Sequence, residues 1–126
     1  MILPAIKAAA REIGAFYGAQ VEMHHYEPLF KDMRQDKRLL DLFTEVMTEF
    51  DEAPRILPDD EADGSTDVGN VSYEVPTAQP TLQIGLGLEA HTPEFTCAAG
   101  SDYGLDQAIK GAKIMAVVAL RYAMHK

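Results

Sequence analysis

One cysteine, Cys97, is all the chain has, which excludes an internal disulfide and a cysteine-based zinc site. Positive charge is also scarce. Eleven Lys and Arg stand against 20 Asp and Glu, a formal net charge of −9. That balance disfavours nucleic acid, where affinity comes from cations neutralising phosphates, and it disfavours an anionic membrane surface. No stretch approaches the ~20 apolar residues of a membrane span. The start, Met1-Ile2-Leu3-Pro4-Ala5-Ile6-Lys7, lacks the basic region and long apolar core of a secretory signal, so a cytoplasmic protein is expected. There is no Gly-rich phosphate loop, no nucleophile elbow around a serine, no His-Glu-x-x-His and no internal repeat.

What is present reads as one globular domain. The 126 residues are 47% hydrophobic and 25% charged, enough for one modest core and too apolar for disorder. Pro4 to Tyr17 is expected to be a helix, with Pro4 in the first turn, Ile6, Ala9, Ala10, Ile13 and Tyr17 on one face, and Gly18 ending it. Ala19 to Tyr26 alternates, Val21 and Met23 against Glu22 and His24, which predicts a half-buried strand. On a strand the adjacent His24 and His25 point to opposite faces, so they do not easily grip one metal ion, and two strand-surface histidines are expected. Lys31 to Lys37 is a polar connection. From Asp36 to about Asp51 the pattern turns helical, with Leu39, Leu40, Phe43, Val46, Met47 and Phe50 in one stripe.

Ala53 to Asp63, with Pro54, Pro58 and Asp59-Asp60-Glu61, reads as a solvated acidic loop. It lacks the ligand spacing and distal Glu of a calcium loop. Thr66 to Tyr73 suits a short helix capped by Ser65 or Thr66, with Asp67 in the first turn. Thr81 to Leu86, bracketed by Pro76 and Pro80 and by Gly85 and Gly87, reads as a buried strand. Pro93 to Ala99 allows a helical turn or two. Asp102 is expected to cap a last helix to about Met124, with Leu105, Ala108, Ile109, Ala112, Ala116, Ala119, Leu120 and Ala123 on its packed face, Val117 and Val118 widening that face, and Lys110, Lys113 and Arg121 at its solvated edge. Asp67 and His91 carry the useful chemistry. A carboxylate and an imidazole at two strand-end loops can meet at the rim of a sheet.

Two motifs carry a family resemblance. Gly64-Ser65-Thr66-Asp67-Val68-Gly69-Asn70-Val71-Ser72 with Val75-Pro76-Thr77, and then Ala90-His91-Thr92-Pro93-Glu94-Phe95 with Ala98-Ala99-Gly100-Ser101, resemble the C-terminal half of M20 metallopeptidases. The similar branch is the amidohydrolase one, with the aminoacylase-like dipeptidases and the p-aminobenzoyl-glutamate hydrolase subunit. A long Ala-rich helix containing Lys110-Gly111-Ala112-Lys113 follows in that family as here.

The resemblance implies a fragment-like three-layer α/β fold. Residues 1–30 would be the end of a lid domain, which usually mediates dimerisation, and residues 31–126 the C-terminal part of the catalytic domain. It implies a zinc or manganese two-metal centre with His91 as one ligand, a pocket lined by Ser65, Thr66 and Asp67, and hydrolysis of an amide in an acylated amino acid or dipeptide.

The chain has no His-x-Asp and no Glu-Glu pair, so the bridging carboxylate and general base of that centre are absent. It resembles roughly the last third of such an enzyme. The expected partners are therefore a missing N-terminal catalytic portion or a second copy of the chain. The alternative is a catalytically inert truncated homologue that associates with itself or complements a partner.

Overall fold

The computed structural model describes residues 2–57 and 64–124. Five helices follow one another: α1 (Ile2–Phe16), α2 (Lys37–Glu49), α3 (Val68–Val71), α4 (Pro93–Ala99) and α5 (Asp102–Met124). The acidic cluster Asp59-Asp60-Glu61-Asp63 and His125 lie outside the described residues.

α2 forms where the apolar stripe requires it. Asp36 caps it, its carboxylate accepting from Leu39 N at 2.9 Å. The helix closes on Asp51, which sits at φ 59°. Asp51 N donates to Thr48 O at 3.1 Å and Glu52 N to Met47 O at 3.0 Å, the paired bonds of a Schellman ending. α1 ends the same way around Gly18 at φ 69°, with Gly18 N on Ala15 O at 3.1 Å and Ala19 N on Gly14 O at 2.8 Å.

The core is the contact of α2 with α5. Val46 and Met47 meet Ile114 and Val118, with Leu39, Leu42, Phe43, Phe50, Leu82 and Val117 packed around them. Ion pairs flank this seam. Arg121 reaches Glu45 at 3.0 Å and grips Glu49 with both nitrogens, at 2.8 and 2.7 Å. Lys110 reaches Glu52 at 2.6 Å. These two cations, expected at a solvated edge, instead tie α5 to the end of α2. Gly104 lets α4 turn tightly onto α5, since a Cβ there would lie 2.3 Å from Ala98 O. Ser101, not Asp102, caps α5: its hydroxyl accepts from Gly104 N at 3.1 Å.

The three-layer α/β expectation is overturned. No described residue lies in a β-strand. A strand is stable only when a neighbour pairs its backbone, and neither predicted strand has one. Residues 19–26 are irregular and lie back on α1, where Val21 sits over Gly14. Residues 81–86 cross α5: Leu82 enters the core, Gln83 O accepts from the buried Gln107 Nε2 at 3.0 Å, and a bend runs from Ile84 to Gly87.

The face of α5 that packs also differs from the expected one. Gly104, Gln107 and Ile114 are buried together with Val118 from the widened edge of the expected face, whereas Leu105, Ile109, Leu120 and the alanines between them are exposed. No described helix is long and apolar enough to cross a membrane.

Candidate functional site

The most ordered polar arrangement joins the connection 29–36 to α3 and the residues after it. Asn70 is the first clamp. Its Oδ1 accepts from Lys31 N at 2.8 Å and its Nδ2 donates to Leu29 O at 3.2 Å. Ser72 Oγ accepts from Arg34 N at 3.0 Å. Asp36 N donates to Thr77 O at 2.8 Å, and Gln79 N to Gln35 Oε1 at 3.3 Å. Gly69 permits this approach, because a Cβ there would lie 2.1 Å from Lys31 O.

Tyr73 closes the cluster. Its hydroxyl donates to Asp32 at 2.7 Å, while Lys31 Nζ and Arg34 Cζ lie 4.4 and 3.8 Å from the ring centre. The Tyr73 hydrogen bond holds the Asp32 carboxyl below its ordinary range, and the same bond pushes the Tyr73 phenol up.

Thr66, half-buried, turns the chain into α3 and accepts from Val68 N at 3.3 Å. Asp67 is exposed, stands at the start of α3 and makes no capping bond. Ser65 is exposed and borders a hollow of about 310 Å³ with residues 24–30.

His91 stands elsewhere, exposed on the turn before α4 at φ 65°. Thr92 builds that turn. It accepts from Phe95 N at 3.2 Å and donates to Glu89 O at 2.7 Å, with Pro93 opening the helix. A left-handed residue other than glycine is uncommon, and histidine is among the types that tolerate it.

No hydrogen bond or ion pair joins His91 to Ser65, Thr66 or Asp67 among the described residues, and the hollow beside Ser65 does not include His91. His24 lies 3.5 Å from Glu22, and Lys7 Nζ lies 3.1 Å from His25 Nε2. Among the described residues no group of three or more His, Cys, Asp or Glu is placed to hold a metal ion. His91 therefore offers a single ligand, and the described residues do not make a zinc or manganese centre.

Sequence reasoning missed the Asn70, Ser72 and Tyr73 clamp. Its signal is faint: four of the chain's 11 Lys and Arg, namely Lys31, Arg34, Lys37 and Arg38, fall in one short stretch of an acidic protein.

No protein-family model matches the chain, and no solved structure matches it. Curated sequences do. The chain is 33% identical over 118 residues to the Xaa-Arg dipeptidase of Mus musculus, a match covering 90% of this chain and 26% of the mouse protein. It is 44% identical over 57 residues to the Xaa-Arg dipeptidase of Homo sapiens, covering 45% of this chain and 13% of the human protein. The chain thus spans about a quarter of the mouse relative's length. These relatives are peptidases by name, and the likeness to the mouse protein extends over most of the present sequence.

Proposed function

We propose that this chain is one part of an M20-type peptidase that cleaves the amide bond of a dipeptide, and that it is inactive by itself. The observation that carries the reading is the match to the mouse Xaa-Arg dipeptidase over 90% of the chain. The relative's name suggests the substrate class, a dipeptide ending in arginine. The net charge of −9 favours a cationic substrate of that kind over an anionic one.

In this reading residues 31–126 belong to the catalytic part and residues 1–30 to a lid. Ser65, Thr66 and Asp67 border the substrate pocket. His91 supplies a single ligand to a zinc or manganese centre whose remaining ligands come from polypeptide beyond these 126 residues. The described residues fail as a metal site, so the chemical step is not assigned to any of them.

A chimera tests this. This chain replaces the matched stretch of the mouse enzyme, and hydrolysis of an Xaa-Arg dipeptide is followed with zinc or manganese present. Turnover by the chimera, lost on His91→Ala without loss of its melting transition, is the expected result. A folded chimera with no turnover, or one indifferent to His91→Ala, would overturn the reading.

A further inference from the structure

One hollow on this molecule is lined by a carboxylate that nothing engages. It measures about 310 Å³ and lies between residues 24–30 and Ser65. Its walls are tied together from behind. Asn70 donates to Leu29 O at 3.2 Å and accepts from Lys31 N at 2.8 Å, which fastens the end of the 24–30 wall to α3. Ser65 stands just before the turn that opens the same helix. The hollow is thus formed before a ligand arrives, which spares the ligand the cost of ordering it.

Its chemistry is uneven. The two histidines of the wall have neighbours: His24 lies 3.5 Å from Glu22, and Lys7 Nζ lies 3.1 Å from His25 Nε2. Glu27 is the only carboxylate in the lining, and no Lys or Arg joins it there. Among the described residues no hydrogen bond or ion pair engages it. Two rings share the lining with it, Phe30 and Tyr26, and Tyr26 is 94% exposed. Asp67, two residues beyond Ser65, is outside the lining.

An unengaged carboxylate beside exposed rings suits a guanidinium. Its fork of N–H groups takes a carboxylate with two parallel bonds, and its flat face stacks on an aromatic ring. The volume suits one long side chain, since it stands at the small end of the roughly 300–1,000 Å³ of small-molecule sites.

We infer that this hollow takes the arginine side chain of an Xaa-Arg dipeptide, and that Glu27 is the residue that selects it. The identity of the ligand rests on the peptidase reading; its place rests on the hollow and on the carboxylate. Ser65 borders the substrate pocket in that reading and borders this hollow in the structure. The match to the mouse protein covers 90% of the chain, so residues 24–30 fall inside it. Specificity is assigned to Glu27 and not to Asp67, although both are exposed acids near Ser65.

The probes are Ala-Arg and Ala-citrulline, which match in length and shape and differ in charge. The full chain is titrated with each and followed by amide chemical shifts. Ala-Arg is expected to shift residues 24–30 and Ser65 and to bind roughly fivefold to tenfold tighter than Ala-citrulline. Glu27→Gln removes that preference and leaves the melting temperature unchanged, because Glu27 is exposed and unbonded. Asp67→Asn keeps the preference. No saturable binding, shifts elsewhere on the chain, equal affinity for the two peptides, or a preference lost with Asp67→Asn and kept with Glu27→Gln would each overturn the inference.

The chimera with the mouse enzyme separates this inference from the reading it rests on. There Glu27→Gln is expected to bring the kcat/KM ratio of the two peptides close to one, chiefly through KM for Ala-Arg. An active chimera whose preference ignores Glu27→Gln overturns the site and spares the peptidase reading. A folded but inactive chimera, with Glu27-dependent binding by the chain, overturns the peptidase reading and supports the site.

Discussion

Nζ of Lys110 lies 2.6 Å from Oε1 of Glu52, and the buried Gln107 donates to the same oxygen at 3.3 Å. One carboxylate thus fastens the end of α2 to the middle of α5, beside the residue that holds Gln83. The Lys110 and Gln107 bonds keep the Glu52 carboxyl below its ordinary 4.5, and the Glu52 bond raises the Lys110 amine above its ordinary 10.5. A lowered carboxyl contributes stability above its unfolded pKa and loses it as pH falls through the folded one. A raised amine contributes below its unfolded pKa and loses it as pH rises through the folded one. The pair's contribution is therefore flat from about pH 5 to pH 10 and fades on both sides. Glu52→Gln is expected to lower the melting temperature by a few degrees at pH 7 and to flatten its fall below pH 4.5, measured by thermal scans across pH.

Asp51 holds the left-handed position that closes α2, at φ 59°. An L-residue there is disfavoured relative to glycine. Asp51→Gly keeps both closing bonds, from residue 51 to Thr48 O and from Glu52 to Met47 O. It is expected to raise stability by about 0.5–1 kcal/mol, read as a higher urea midpoint at unchanged slope.

Gly69→Ala acts in the opposite sense. The added Cβ would stand 2.1 Å from Lys31 O, a backbone atom that cannot swing aside. Residues 29–36 must then part from α3, breaking the Asn70 and Ser72 clamps. A loss of about 1–3 kcal/mol is expected, with faster amide exchange at Lys31 and Arg34 and little change at Val46.

The two faces of α5 separate a core residue from an exposed one. Ile114 is 2% exposed and Leu120 66%. Ile114→Ala is expected to cost about 2–5 kcal/mol, and Leu120→Ala to stay within about 0.5 kcal/mol. Equal losses in a urea titration would mean that the alanine-rich face is the packed one.

That contrast shows where the sequence was legible. α2 could be read because its apolar residues follow one helical period and its ends carry local chemistry, Asp36 at one and Asp51 at the other. The Gly18 ending of α1 and the Pro93 start of α4 are local in the same way. α5 misleads because alanine and branched residues occupy most of its circumference. Its packed side mixes Gly104, the buried Gln107 and the half-buried Arg121 with Ile114 and Val118, and the polar pair is held there by partners on α2 and at Gln83 that lie far off in sequence. The strands at 19–26 and 81–86 failed for a related reason: their composition suits a sheet, but pairing is a property of two segments. Of the site, Thr66 as the turn into α3 was legible from its type and position. The Asn70–Lys31 and Tyr73–Asp32 contacts join residues about 40 apart in sequence, and no local pattern announces them.

Metal titration gives the last prediction. A tight zinc site needs three or four ligands brought together. Among the described residues no such group forms, and His91 projects from an exposed turn without a bonded partner. Zinc or manganese added to the purified chain is therefore expected to bind weakly, as it does to isolated surface histidines, and to leave the melting temperature almost unchanged, because a ligand stabilises only in proportion to its affinity for the folded state. The same preparation is expected to show no hydrolysis of an Xaa-Arg dipeptide, since among the described residues no group of three or more ligating side chains forms at His91. Calorimetry and a dipeptidase assay check the two halves together. A stoichiometric tight site that disappears on His91→Ala, or turnover that disappears with it, would mean that the 126 residues complete a centre by themselves, with ligands drawn from His24, His25 or the acidic stretch before Gly64.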